Sequence, residues 1–335
     1  MRKNVDFKFR FVIGVMQLRF YKIIACALAM ILFAGCAGGE GKNPTGTRGD
    51  DSWEMTFSED ELPANPALPD ILRPEAAGVL TEETDRAVID YSNTADGYVM
   101  VRVKEETEHR LKVQVKGPST TYTYNIASGD WEVFPLSDGN GAYQVALYEN
   151  VEGSKYALVQ SISAEVALVD EFAPFLRPNQ YVSYGDAEQT VKKAAQLVTG
   201  KTTELDKVQA VYEYVIHTIA YDKALAATVQ SGYLPDLDRV LETKKGICFD
   251  YAALMTGMLR SQSVPCKLVV GYAGEAYHAW ISVYTEKDGW IDNVIYFDGA
   301  TWKRMDPTFA SSGEQSDEIM KYIGDGTNYT EKYLY

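Results

Sequence analysis

From Asp85 to Leu168 apolar and polar residues follow one another at a spacing of two. Leu111-Lys112-Val113-Gln114-Val115, Tyr122-Thr123-Tyr124 and Tyr143-Gln144-Val145-Ala146-Leu147 alternate cleanly, Tyr98 to Val103 alternates in part, and Ile162 to Leu168 follows. A period of two sends successive side chains to opposite faces, so each run predicts a strand with one face buried. Turn-forming clusters separate the runs: Lys116-Gly117-Pro118-Ser119, Ser128-Gly129-Asp130, Asp138-Gly139-Asn140-Gly141 and Glu152-Gly153. Short strands punctuated in this way predict a small antiparallel, Ig-like β-sandwich over residues 81–172, with Trp131 and Phe134 as packing residues.

After the proline-bearing connection Pro174 to Pro178 the period changes. Asp186 with Gln189 predicts a capping box, followed by a helical row of Val191, Ala194, Ala195 and Val198. A second helix presents Val208, Val211, Tyr212, Val215, Ile216 and Ile219 on one face, and a third runs from Cys248 to about Arg260. Lys267 to Tyr272 and His278 to Tyr284 then read as apolar strands, with a hairpin of Val294–Phe297 and Trp302–Met305 ending at Asp306-Pro307-Thr308. Helices followed by antiparallel strands make residues 173–335 an α+β domain.

The N-terminus carries a different signal. An apolar run from Ile23 to Phe33 follows Arg19 and Lys22, and it is too short to span a bilayer. With Ala34-Gly35-Cys36 after it, the stretch reads as a secretory signal, with Met16 an alternative start to Met1. Leu32-Phe33-Ala34-Gly35-Cys36 resembles the lipobox of bacterial lipoproteins, which implies lipidation of Cys36 and residues 1–36 as the signal segment. A plain signal peptide with an incidental cysteine is the other reading. Residues 37–80, rich in small and polar residues, then form a flexible tether.

Residues 1–35 hold six Lys/Arg against one acid, so a chain beginning at Cys36 has net charge −20 rather than −15. An acidic surface of this size disfavours nucleic acid and anionic headgroups as partners, and membrane attachment outside the cytoplasm falls to the lipid. Loss of Cys26 and lipidation of Cys36 leave Cys248 and Cys266. In a secreted chain such a pair reads either as a disulfide or as two free thiols.

Gly246 allows a tight entry to the third helix and puts Cys248 in its first turn, where unpaired N–H groups favour a thiolate. His109 lies in a charged turn and His217 on the polar side of a helix, which leaves His278 as the histidine available for chemistry. The order Cys248, His278, Asp306 supplies nucleophile, base and orienting acid. The Cys248 N–H is one oxyanion donor and Tyr221 a candidate for another, its alternative being packing under the cysteine helix. Cys266 reads as a buried thiol, and Trp280 and Trp302 as core or cleft walls. No phosphate loop and no metal-ligand spacing occurs, so neither cofactor nor metal is expected.

Gly246-x-Cys248, His278-Ala279-Trp280 and Asp306-Pro307-Thr308 together resemble the transglutaminase-like superfamily, and residues 205–310 follow its pattern. The resemblance implies a papain-like α+β core with the triad Cys248, His278 and Asp306, and acyl transfer through a thioester. Water would make the protein a cysteine peptidase or amidase, and a lysine amine would make it a cross-linker. Hydrolysis is the expectation, because the amine route requires water to be shut out. A protein or a peptidoglycan peptide is the expected substrate, and a catalytically silent binding module of the same fold is the alternative. The sequence sets no oligomeric state.

Overall fold

A computed structural model describes residues 59–273, 276–292, 296–297, 302–303 and 329–335. The expected signal segment and the first half of the expected tether, residues 37–58, lie outside the described residues. Residues 55–335 form one compact unit.

The first half is built of strands β1 (Thr81–Glu83), β2 (Ala87–Asp90), β3 (Tyr98–Val103), β4 (Leu111–Lys116), β5 (Thr121–Ile126), β6 (Glu132–Pro135), β7 (Gly141–Glu152) and β8 (Lys155–Val166). They pair antiparallel in two sheets, ordered β1-β2-β3-β6 and β5-β4-β7-β8. The alternation of β4 and β5 does what its period requires: Leu111, Val113 and Val115 meet Ile126, Tyr124 and Tyr122 across the ladder, and all six are buried. Phe134 is fully buried, whereas Trp131 is half-buried. The Glu152-Gly153 signal is the tip of a long β7–β8 hairpin, closed by the pair Glu152↔Lys155.

The second half contains helices α1 (Glu188–Val198) and α2 (Glu204–Thr218), strand β9 (Ala220–Tyr221), helices α3 (Lys223–Thr228) and α4 (Leu237–Thr243), strand β10 (Lys245–Gly246) and helix α5 (Cys248–Ser261). Strands β11 (Cys266–Ala273), β12 (Ala276–Thr285), β13 (Gly289–Ile291), β14 (Tyr296–Phe297), β15 (Trp302–Lys303) and β16 (Tyr329–Leu334) follow. The main sheet is antiparallel in the order β13-β12-β11-β16, and β14 pairs with β15. Helix α5 lies on β11 and β12 and is enclosed on other sides by α1, α2 and α4. Its residues from Asp250 to Ser261 are all buried, as expected of a helix with apolar neighbours all round. This is the papain-like α+β arrangement, a cysteine-bearing helix packed on an antiparallel sheet. Among the described residues no helix is long and apolar enough to cross a membrane.

The N-terminus of α1 differs from the expected capping box. Ala187 is the N-cap and contributes no side-chain bond. Instead Asp238 of α4 accepts from Gln189 N (3.2 Å), Thr190 N (2.8 Å) and Thr190 Oγ1 (2.7 Å). The carboxylate that satisfies the open helix end comes from another helix, through a contact no local pattern encodes.

At the far end of α5, Arg260 is 3% exposed and donates to three backbone carbonyls: Cys266 O (2.8 Å), Arg177 O (2.8 Å) and Tyr335 O (2.5 Å). Burial pulls its pKa down to about 10. The two halves share one core, in which Tyr335 packs edge-on against Tyr122 and Tyr124 of β5 at 5.8 and 5.7 Å and against Tyr181 at 4.6 Å.

Candidate active site

The approach to the cysteine is set by a small parallel pair. Strand β10 runs beside β9 with Lys245↔Ala220 and Gly246↔Tyr221 in register, closed by Ala220 N to Lys244 O (2.9 Å) and Asp222 N to Gly246 O (2.8 Å). Tyr251 fastens this pair to α5 by donating its hydroxyl to Ile219 O at 2.6 Å. A Cβ on Gly246 would stand 2.6 Å from Asp250 Cβ, so only glycine lets Asp250 fold back over the helix entry.

Asp250 is fully buried in the first turn. Its carboxylate accepts Ile247 N–H (2.9 Å) and the Tyr233 hydroxyl (2.7 Å), and Arg239 Nη2 donates to Tyr233 Oη at 2.6 Å while lying 4.0 Å from the carboxylate. This is the acidic half of a capping box; Ile247, the N-cap, has no acceptor for the other half. Burial pushes the Asp250 pKa up, and the negative charge of Asp222 adds to that. The Ile247, Tyr233 and Arg239 contacts pull it back.

Cys248 is therefore the first helical residue of a buried helix with no side-chain cap on its leading N–H groups. It is half-buried and its thiol is free.

Cys266 is its opposite. It is fully buried, its thiol lies 3.6 Å from Thr256 Oγ1, and burial pushes its pKa up to about 11. Thr256 stands eight residues after Cys248 in α5, about 12 Å along the helix, which separates the cysteines by more than a disulfide spans. The disulfide reading is removed, and both thiols are free.

His278, on β12, is 8% exposed and faces Gly271 across the ladder. Gly271 sits at a register shift against β16, where an added Cβ would fall 2.1 Å from Thr330 O and 2.8 Å from the Trp280 ring. The imidazole stacks on Trp280 with ring centres 6.3 Å apart. Ala279, Ile281 and Val283 form the row that enters the core beside α5, and His278 precedes that row on the side of the strand shared with Trp280.

Two contacts orient α5 along the sheet. Its middle meets Cys266, which pairs with Val283 late in β12, while Phe249 at its start packs on Tyr181 at 5.5 Å. The Tyr181 phenol in turn interacts electrostatically with that of Tyr277, early in β12. The beginnings of α5 and β12 thus lie towards one end of the layer. Tyr221 is beside Gly246, half-buried and packed against the core. Asp306 lies outside the described residues, as does the side chain of Trp302. His109 and His217 are exposed. Among the described residues no group of His, Cys, Asp and Glu is placed to hold a metal ion.

Sequence reading had not assigned roles to Tyr233, Arg239 or Asp250. Only Asp250 left a local signal, three residues after the N-cap. Tyr233 and Arg239 reach it from a preceding loop and helix.

Residues 191–307 match the model of the transglutaminase-like superfamily. The match spans the cysteine helix, the histidine strand and the Asp-Pro of the third motif. Over that segment the chain is similar to the transglutaminase-like superfamily. Human kyphoscoliosis peptidase is 34% identical over 111 residues, covering 32% of this chain and 16% of that protein. The uncharacterized protein YebA of Bacillus subtilis is 25% identical over 134 residues, covering 34% of this chain and 18% of its own. The chain thus matches under a fifth of the length of either relative. Among solved structures, a candidate cysteine protease from Cytophaga hutchinsonii aligns over 77% of this chain and 74% of its own, at 13% identity and TM-score 0.35. Red sea bream transglutaminase aligns over 58% and 47%, at 11% identity and TM-score 0.24. The matched segment includes Cys248 and His278.

Proposed function

We propose that this transglutaminase-like protein performs acyl transfer on peptide or amide substrates, acting as a cysteine peptidase or amidase. The observation that carries the reading is the contrast between its thiols: Cys248 is accessible at the uncapped start of a buried helix, and Cys266 is sealed in the core. In the proposed reaction the Cys248 thiolate attacks the substrate carbonyl and forms a C–S bond. The tetrahedral oxyanion is held by the Cys248 N–H, with Tyr221 as a candidate second donor. His278, protonated by the thiol, returns that proton to the departing amine as the C–N bond breaks. His278 then takes a proton from water, whose oxygen attacks the thioester and releases acid and thiol. Asp306 holds the imidazole tautomer. A half-buried nucleophile open to solvent supports water as the acceptor over a lysine amine. The proposed setting is the outer cell envelope, with the chain held by a lipid on Cys36 and acting on protein or peptidoglycan peptides.

The test is the pH dependence of iodoacetamide alkylation at Cys248, in protein lacking residues 1–36, against His278→Ala. Fast alkylation well below about pH 8.5, moving to higher pH in the variant, is the expected result. A Cys248 that stays inert at every pH below that of a free thiol overturns the enzyme reading in favour of a silent binding module.

A further inference from the structure

Most tyrosines in the core of this molecule are buried, but the sheet end next to His278 leaves two in solvent. Tyr272 is 39% and Tyr277 59% exposed. They are register partners across β11 and β12, with rings edge-on at 5.5 Å. Strand alternation places them on the same side as Val270 and Ala279, the side that α5 covers further along. Lys332 lies over both the Tyr272 and Tyr333 rings, Tyr333 and Tyr181 both pack on Tyr335 at 6.1 and 4.6 Å, and Tyr181 packs on Phe249 at 5.5 Å. An aromatic surface therefore runs from the start of β12 to the first turn of α5. Tyr277 precedes His278 in the strand with its side chain on the opposite face, and at the other end Phe249 follows Cys248 in the first turn of α5.

Charge narrows what this surface takes. Lys332 already places its ammonium 5.9 Å from the Tyr272 ring centre and 5.3 Å from that of Tyr333. The Tyr272 ring is thus already served by a cation from within the chain, which disfavours a second cation beside it. Two rings also fall far short of the roughly 1,200 Å² that a stable protein interface buries. A single apolar or aromatic side chain fits both limits.

We infer that Tyr272 and Tyr277 form a specificity subsite that receives a bulky apolar or aromatic side chain of the acyl donor, next to the amide that Cys248 attacks. The subsite rests on the reading of Cys248 as nucleophile. Its ligand class is an aromatic peptide, not a lysine-bearing one.

The experiment compares inactivation by three dipeptidyl chloromethyl ketones that end in Phe, Gly or Lys, with iodoacetamide run alongside as a reagent without a side chain. In each case the thiolate forms a C–S bond and a halide leaves. The Phe reagent is expected to inactivate about tenfold or more faster than the Gly reagent, and the Lys reagent no faster than Gly. In Tyr277→Ala and Tyr272→Ala the Phe/Gly ratio falls towards one, and Tyr277→Phe retains it. Equal rates for Phe and Gly, or a preference for Lys, with iodoacetamide still reacting at Cys248, overturn the subsite and leave the nucleophile standing. A Cys248 inert to iodoacetamide removes both.

Discussion

Asp250 shows how much of the site depends on a residue that does not react. With no exposure to solvent, it is surrounded by Ile247 N–H, the Tyr233 hydroxyl and, at 4.0 Å, Arg239. Asp250→Ala leaves one buried and one half-buried donor without an acceptor, for which about 2–4 kcal/mol of lost stability is expected in urea unfolding. Its carboxyl is held above the usual range by burial, so the folded chain grips that proton more tightly than the unfolded chain. The stabilising effect of this group is fully present below the unfolded value and shrinks as pH rises through the folded one. Asp250→Asn keeps the acceptor for Ile247 and removes the charge. Its stability relative to the parent should therefore improve between strongly acid and neutral pH, and a gap independent of pH would contradict this. The thiols give a second prediction: native protein titrated with a thiol reagent near neutral pH should modify Cys248 and spare Cys266 until denaturant is added.

At the scale of elements, legibility in the sequence tracks how local the determining contacts are. Strands β4 and β5 were readable because one face of each is buried and the other wet, which imposes the period of two. The first half of β8 was not, since its side chains from Lys155 to Gln160 are mostly exposed or half-exposed on both faces. Strand β16 was missed for the same reason, having no buried face to print a pattern. Motif and order along the chain nominate Cys248 and His278, whereas Tyr233 and Arg239 meet Asp250 through space. The start of α1 makes the point testable. Asp238→Ala should cost about 1–2 kcal/mol by uncapping that helix, and Asp186→Ala, the substitution the local pattern nominates, should cost almost nothing. Gly271→Ala should be worse than either, since Thr330 O stands 2.1 Å from the added carbon and β16 must move.

Across the whole molecule the dominant feature is a core of tyrosines shared by the sheet half and the helical half. Burial pushes the phenols of Tyr181 and Tyr214 up to about 12, and those of Tyr124, Tyr184 and Tyr335 higher still. An unfolded chain gives up these protons near pH 10, while the folded one keeps them. Stability supplied by these groups is whole below pH 10 and lost as pH climbs through the folded values. Alkaline unfolding is thus expected above about pH 10, with phenolate absorbance appearing in the same transition as loss of tertiary structure. Stepwise phenol titration in protein that stays folded would contradict it.

Arg260 adds a constraint of timing. It joins helix α5 to Arg177 and Tyr335, 83 and 75 positions away in the chain. Closing such distant partners requires the intervening loops to be ordered first, which slows folding in proportion to topology rather than to stability. Until β16 docks, the helix bearing Cys248 lacks its final seat. Maturation of the reactive thiol should therefore follow the slowest refolding phase, with the fast recovery of helical signal preceding it.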